Sequence, residues 1–203
     1  VAIETEVKIA IQDIDEFRLR LGSVDHSLVR GRYFEDNFVL DFKNGRIGLQ
    51  GCLLRVRKTE GKESVTFKGP PRPSTTFKSR EEIETTVDSA DVMLRIFGEA
   101  GLQTWFRYQK YREEYAIAVR SGTVPEIHLA IDETPIGNYL ELEGSEEGIL
   151  EVAAALGFTR TQFMRDSYYS LFEQYCRQRS DTSGHMVFAH QGGSGDDTIQ
   201  KGP

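Results

Sequence analysis

Ile3-Glu4-Thr5-Glu6-Val7-Lys8-Ile9 sets charged side chains at every second position, with apolar or β-branched residues between them. Successive side chains on a strand point to opposite faces, so Glu4, Glu6 and Lys8 share one face and Ile3, Val7 and Ile9 the other. The pattern returns along the chain. Arg55 and Arg57 flank Val56, Thr66 and Lys68 flank Phe67, and Glu82 and Glu84 flank Ile83. Lys110 and Arg112 flank Tyr111, and Glu141 and Glu143 flank Leu142. These pairs read as one charged surface assembled from many strands.

A chain of 203 residues is long enough for one well-cored domain. The formal net charge is −7. A nucleic-acid binder is expected to carry a basic face, so none is expected as a partner, although a local site can still take a small anion. No apolar run approaches the ~20 residues that span a bilayer, and no signal-peptide pattern is visible, so no membrane partner and a cytoplasmic location are expected. Cys52 and Cys176 lie far apart without metal-ligand spacing and read as two reduced thiols.

Along the chain, the alternation predicts strands over residues 2–10, 31–38, 53–58, 64–68, 80–87, 106–115, 127–132 and 139–143. Helices are predicted over 14–21 after Asp13, 91–100 after Ser89, 146–156 after Ser145, and 165–177. Asn44-Gly45 marks a turn, and Glu60-Gly61-Lys62 a hairpin connection. Residues 69–79 hold three prolines and read as a loop. Residues 1–178 form the expected domain, and 179–203, rich in Gly and Ser, the expected disordered tail. His185 and His190 in that tail read as incidental rather than as a metal site.

Many antiparallel strands suggest a barrel or a sandwich, and the charges then have two possible directions. Facing water, they leave a conventional apolar core. Facing inward, they line an open polar lumen, and the apolar outer face needs a cover of helices or a second subunit. Acid pairs and base pairs fall on different strands, which favours the inward arrangement with an outside source of countercharge. A ligand that satisfies both signs is a polyanion accompanied by divalent cations. Arg presents a planar fork to phosphate oxygens, and clustered carboxylates suit hard ions such as Mg²⁺ or Mn²⁺. Six cations exceed the needs of one phosphate and suit a triphosphate, which carries a charge of about −4 near neutral pH. No P-loop motif is present.

The same segments resemble the CYTH superfamily, also called triphosphate tunnel metalloenzymes. Glu4-Thr5-Glu6-Val7-Lys8 resembles its E-x-E-x-K signature, Leu54-Arg55-Val56-Arg57 its L-R-x-R strand, and Thr66-Phe67-Lys68-Gly69-Pro70 its T-x-K-G-P. Arg80-Glu81-Glu82-Ile83-Glu84 resembles R-x-E-x-E, and Tyr33-Phe34-Glu35-Asp36 the Y-F-D segment, with Glu35 interposed. Asp132, Gly137, Tyr139, Glu141 and Glu143, followed by Ser167-Tyr168, are similar to the family's closing motifs. The resemblance covers residues 1–178. It implies an α+β fold: a closed eight-stranded antiparallel β-barrel with a polar tunnel and flanking helices.

Carried over by position, the resemblance implies that Lys8, Arg55, Arg57, Lys68, Arg80, Lys110 and Arg112 bind the substrate's phosphates. It implies Glu4, Glu6, Asp132, Glu141 and Glu143 as ligands of Mg²⁺ or Mn²⁺, with two ions expected. Glu141, Glu143 and Asp132 are the implied catalytic acids. Glu82 and Glu84 are left to a second metal or to charge balance. The expected activity is hydrolysis of inorganic triphosphate, thiamine triphosphate or a nucleotide, one ion neutralising the phosphates and another acidifying the attacking water. Class IV adenylate cyclase is the alternative, and a non-enzymatic polyphosphate-binding module the third. His128 reads as a structural histidine, Tyr168 as a packing residue or substrate contact, and Lys78 as a loop charge. Trp105 and Phe106 are assigned to the apolar exterior or to a homodimer contact.

Overall fold

The computed structural model describes residues 2–74, 76–120 and 126–189. Eight strands, β1 (Ala2–Ile11), β2 (His26–Phe42), β3 (Leu53–Thr59), β4 (Glu63–Lys68), β5 (Lys78–Val87), β6 (Leu102–Ala118), β7 (Glu126–Thr134) and β8 (Gly137–Glu143), form the sheet. They close antiparallel in the order β1-β5-β4-β3-β2-β6-β7-β8. Helices α1 (Ile14–Leu21), α2 (Arg46–Leu49), α3 (Ala90–Glu99), α4 (Glu146–Ala155) and α5 (Tyr168–Arg179) lie around the barrel.

The charges face inward, and the main apolar core lies outside the barrel wall. Val7, Ile9, Ile127, Leu129, Ile131, Leu140 and Leu142 of β1, β7 and β8 pack against Phe17 and Leu21 of α1 and Ile149, Val152 and Ala153 of α4. A second patch joins Leu40, Val56 and Val65 to Ala90, Leu94 and Phe97 of α3. The third gathers Val39, Phe106, Tyr108 and Tyr139 around Tyr168, Leu171 and Phe172 of α5.

The boundaries depart from the sequence reading where long-range pairing outruns local pattern. β2 begins at His26 because His26 to Arg30 pair with β6. α5 starts at Tyr168, three residues later than predicted, because the Ser167 hydroxyl caps it by accepting the Ser170 N–H at 3.1 Å. The predicted turn at Asn44-Gly45 opens into α2, held by Asp41, whose carboxylate accepts N–H bonds from Ile47 (2.9 Å) and Gly48 (2.8 Å). The proline-bearing connection is tied down at Gly69 N–H to Glu81 O and Arg72 N–H to Ser79 O.

The segment read as a disordered tail also departs from that expectation in its described part. Met186 is fully buried, exchanging backbone hydrogen bonds with Arg107 and Gln109 of β6, whose outer half lacks a β7 neighbour. His185 accepts the Arg107 N–H through Nδ1. His190 and residues 191–203 lie outside the described residues.

α4 sits so close to β7 that its Gly148 has no space for a side chain. A Cβ there would fall 2.6 Å from Ile127 Cδ1 and 2.9 Å from the capping Ser145 Oγ. Helix propensity alone favours Ala over Gly by ~1 kcal/mol. Overpacking costs about 1–3 kcal/mol. Gly148→Ala is therefore expected to destabilise the fold by about 1 kcal/mol in urea denaturation, and a gain in stability would refute the close-packing account.

Candidate functional site

The barrel encloses a cavity of about 710 Å³. Period-two alternation delivers its lining: Lys110 and Arg112 from β6, Arg55 and Arg57 from β3, Glu4, Glu6 and Lys8 from β1, and Glu141 and Glu143 from β8. Lys68 of β4 and Arg80, Glu82 and Glu84 of β5 complete the set. Thus thirteen of the fourteen predicted site residues reach the cavity wall, Asp132 being the exception. Among the described residues, ten lysines and arginines against eight glutamates line it, a positive excess inside a chain of net charge −7. Anionic ligands are favoured there despite the acidic total.

Opposite signs meet across strands. Lys68 Nζ lies 2.5 Å from Glu4 and 2.8 Å from Glu82, Lys78 Nζ 2.8 Å from Glu6, and Lys8 Nζ 3.0 Å from Glu141. Arg57 reaches Glu35 at 3.0 Å. Two buried atoms have no partner among the described residues, Arg55 Nε and Arg80 Nε. Both belong to residues that line the cavity.

Asp132 is the one predicted site residue that does not line the cavity. Its carboxylate is fully buried and accepts from Lys110 Nζ (2.8 Å), Arg112 Nε (2.7 Å) and Nη2 (2.6 Å), and the Tyr168 hydroxyl (2.5 Å). Those bonds engage both carboxylate oxygens, and in this arrangement Asp132 orients two cavity-facing cations. Arg112 also pairs with Glu141. Tyr168 lies beneath Lys8 and Lys110, whose ammonium groups stand 5.2 and 5.1 Å from its ring centroid. Burial, then Asp132 and Glu141, raise the Tyr168 phenol well above its ordinary range, so it is a donor and not a base.

The acids divide by environment. Burial alone would raise Glu6 and Glu141, but Lys8 with Lys78 outweighs it for Glu6, and Lys8 with Arg112 for Glu141, holding both well below the usual range. Glu4 goes the other way, pushed up to about 8 by burial and by its hydrogen bond with Glu82, against the pull of Lys68. Burial also raises Glu143, opposed by Lys68 and His128. Glu143 makes no ion pair among the described residues, and it stands opposite Glu6 in the β1–β8 register.

An all-oxygen donor set of Glu4, Glu6 and Glu143 fits a hard divalent cation in type. The raised Glu4 and Glu143 are carboxylates whose burial the neighbouring cations only partly offset. No three such side chains are drawn together at ligand distances among the described residues.

Several participants were missed in the sequence. Glu35, fully buried between Arg57 and Lys110, is the inward acid of its segment, whereas Asp36 points outward to Arg107. Counting alternate positions from Tyr33 would have found it. Glu114 continues the inward face of β6, and its carboxylate takes the Tyr33 hydroxyl at 2.6 Å and His128 Nε2 at 2.8 Å. Lys78 and His128 line the cavity, as do Trp105 and Phe106, which corrects the exterior assignment of that aromatic pair.

A closed antiparallel barrel with a charged lumen and its apolar face turned outward defines a tunnel-type phosphate-binding class. The CYTH domain profile matches residues 2–168, and the chain belongs to that family. A candidate adenylate cyclase of Methanocaldococcus jannaschii is 28% identical over 184 residues, covering 83% of this chain and 98% of the relative. Among solved structures, a candidate adenylate cyclase of Vibrio parahaemolyticus has a TM-score of 0.70 at 16% identity, covering 84% of this chain and 98% of that one. A Hippeastrum protein described as a candidate adenylyl cyclase with dominant triphosphatase activity has a TM-score of 0.59 at 15% identity, covering 84% and 95%. At such identities these structures establish the fold. Among the described residues no helix is long and apolar enough to cross a membrane.

Two measurements check this site. Asp132→Asn should cost about 3 kcal/mol in denaturant unfolding, because it leaves buried cations underpaired. Glu84→Gln, at the more open edge, should cost less than ~1 kcal/mol. For pH, a carboxyl raised to about 8 holds its proton in the folded chain while the unfolded chain loses it near 4.5. That contribution is complete below pH 4.5 and is lost as pH rises through 8. Metal-free protein should therefore lose stability, by up to ~2 kcal/mol, between pH 6 and 8. Glu4→Gln should flatten that slope in thermal melts, and an unchanged slope would count against the Glu4 assignment.

Proposed function

We propose that the chain is a metal-dependent triphosphatase that holds a triphosphate in the barrel and hydrolyses its terminal phosphoanhydride bond. The observation that carries this reading is the pair of buried guanidinium N–H groups, Arg55 Nε and Arg80 Nε, without acceptors beside the cavity. A buried unsatisfied donor costs roughly 1–3 kcal/mol, and an anionic oxygen ligand removes that cost. The cations come from six strands around the lumen, which suits a chain of phosphates better than a single one. A phosphate oxygen can take the place of Glu6 on Lys78, or of Glu4 and Glu82 on Lys68, releasing carboxylate oxygens as it does so.

Glu4, Glu6, Glu141 and Glu143 would hold Mg²⁺ or Mn²⁺, with Glu82 and Glu84 available to a second ion. When bound, the cation neutralises phosphate charge and acidifies the attacking water. The protein's own residues then perform the positioning. Arg55, Arg57, Arg80, Lys8 and Lys68 hold the non-bridging oxygens. Arg112 and Lys110, kept in place by Asp132, stabilise charge as it moves onto the departing diphosphate. Water attacks the terminal phosphorus in line, the bridging P–O bond breaks, and orthophosphate and the shortened phosphate leave.

Class IV adenylate cyclase is the second reading, favoured by the description of the Methanocaldococcus relative. One assay separates the readings. Pure protein with Mg²⁺ or Mn²⁺ should release orthophosphate from inorganic triphosphate, thiamine triphosphate or ATP, and a chelator should abolish the release. Arg55→Met should lower kcat/KM by about 10²-fold. Cyclic AMP with pyrophosphate from ATP would replace the hydrolase with the cyclase. Tight triphosphate binding without turnover would reduce the protein to a binding module.

A further inference from the structure

One end of the cavity is built differently from the rest. Phe106 and Tyr108 of β6, and Tyr168 and Tyr169 from the start of α5, form an aromatic wall there with Trp105. The wall connects directly to the cationic lining. Arg55 Nη1 donates to the Tyr108 hydroxyl at 3.4 Å. Tyr108 stacks on Phe106 at 5.7 Å, and Phe106 meets Trp105 edge-on at 6.3 Å. Trp105 also lies 4.2 Å from Tyr169, ring centroid to ring centroid.

Strand parity does not explain why Trp105 and Phe106, neighbours in sequence, both line the cavity. The β2–β6 register does. Val39 pairs with Phe106 but Leu40 pairs with Thr104, so Trp105 is the extra residue of a β-bulge. Bulges at barrel rims re-aim side chains. The result is a Trp ring supported on Tyr169 and Phe106 yet 47% exposed at the cavity edge. A bare phosphate chain gains nothing from an aromatic face. A heteroaromatic ring does, through stacking. The two ring-to-ring steps from Tyr108 to Trp105 are of the same scale as a sugar and base attached to a phosphate chain.

We propose that Trp105, supported by Tyr169, is a stacking subsite for the heteroaromatic ring of an organic triphosphate, so the preferred substrate carries a base and is not inorganic triphosphate. The proposal rests on the triphosphate reading above and deepens it.

Trp105 is the sole tryptophan of the chain, which makes binding observable without turnover. Its fluorescence should be quenched saturably by ATP or thiamine triphosphate with Mg²⁺ and unresponsive to inorganic triphosphate. The more tightly bound of the two organic ligands identifies the ring. In kinetics, Trp105→Ala should lower the ratio of kcat/KM for the organic triphosphate to that for inorganic triphosphate about tenfold, and Trp105→Phe should restore most of it. Identical quenching by inorganic triphosphate, or an unchanged ratio in Trp105→Ala, would overturn the subsite while leaving the triphosphatase reading intact. If Trp105→Ala does not fold, the wild-type titration and Trp105→Phe decide alone. Quenching by ATP without hydrolysis of any triphosphate would instead sustain the subsite and sink the hydrolase.

Discussion

The structure depends on one requirement: ionised side chains turned into a barrel must find countercharge there. Moving an ion out of water costs several kcal/mol even after relaxation, and only close, well-hydrogen-bonded pairing offsets it. An ordinary small barrel avoids the problem by filling its interior with apolar side chains. Here the lumen holds Lys8, Lys110, Arg55, Arg112, Glu6 and Glu35, each at most 8% exposed. The apolar residues of the same strands are thereby committed to the outside. α1, α4 and α3 follow from that commitment, since Val7, Ile9, Leu140 and Leu142 under α1 and α4, and Leu40, Val56 and Val65 under α3, would otherwise face water.

Segregation of charge by strand takes on a different meaning once the register is known. It was read as a deficit needing outside countercharge. In the barrel, most of that deficit is met by neighbouring strands: Lys68 of β4 between Glu4 of β1 and Glu82 of β5, and Arg112 of β6 with Asp132 of β7 and Glu141 of β8. What internal pairing leaves over is small and specific. It consists of the cationic excess of the lining, two guanidinium N–H groups without acceptors, and Glu143, which makes no ion pair among the described residues. Unmatched groups of both signs suit a polyanion with its cations better than either alone.

Legibility in the sequence followed physical range. Alternation is local, so the strands and thirteen of the residues that line the cavity were readable from pairs such as Arg55 and Arg57. The direction of the charges was not readable from alternation, because a solvated face and a lumen have the same period. Glu35 was hidden by motif spelling, although its parity with Tyr33 marks it as inward. Asp132 carried the right residue type for a ligand, and only the fold discloses its contacts with Lys110, Arg112 and Tyr168. Met186 was invisible because its partner edge on β6 exists only once β7 stops short of it. The bulge at Trp105 is likewise a property of register, and single-strand patterns do not encode register.

These long-range features meet at α5. Its first residue, Tyr168, donates to the carboxylate that orients Lys110 and Arg112, while its second, Tyr169, supports Trp105 at the rim. One helix start, fixed by the Ser167 cap, therefore touches both halves of the cavity: the charged half through Asp132 and the aromatic half through the bulge. A shift of α5 along its axis would disturb the cavity-lining cations and the aromatic rim together. That coupling gives the helix a role beyond covering apolar surface, because the spacing between the two kinds of wall is set by consecutive side chains on one rigid element.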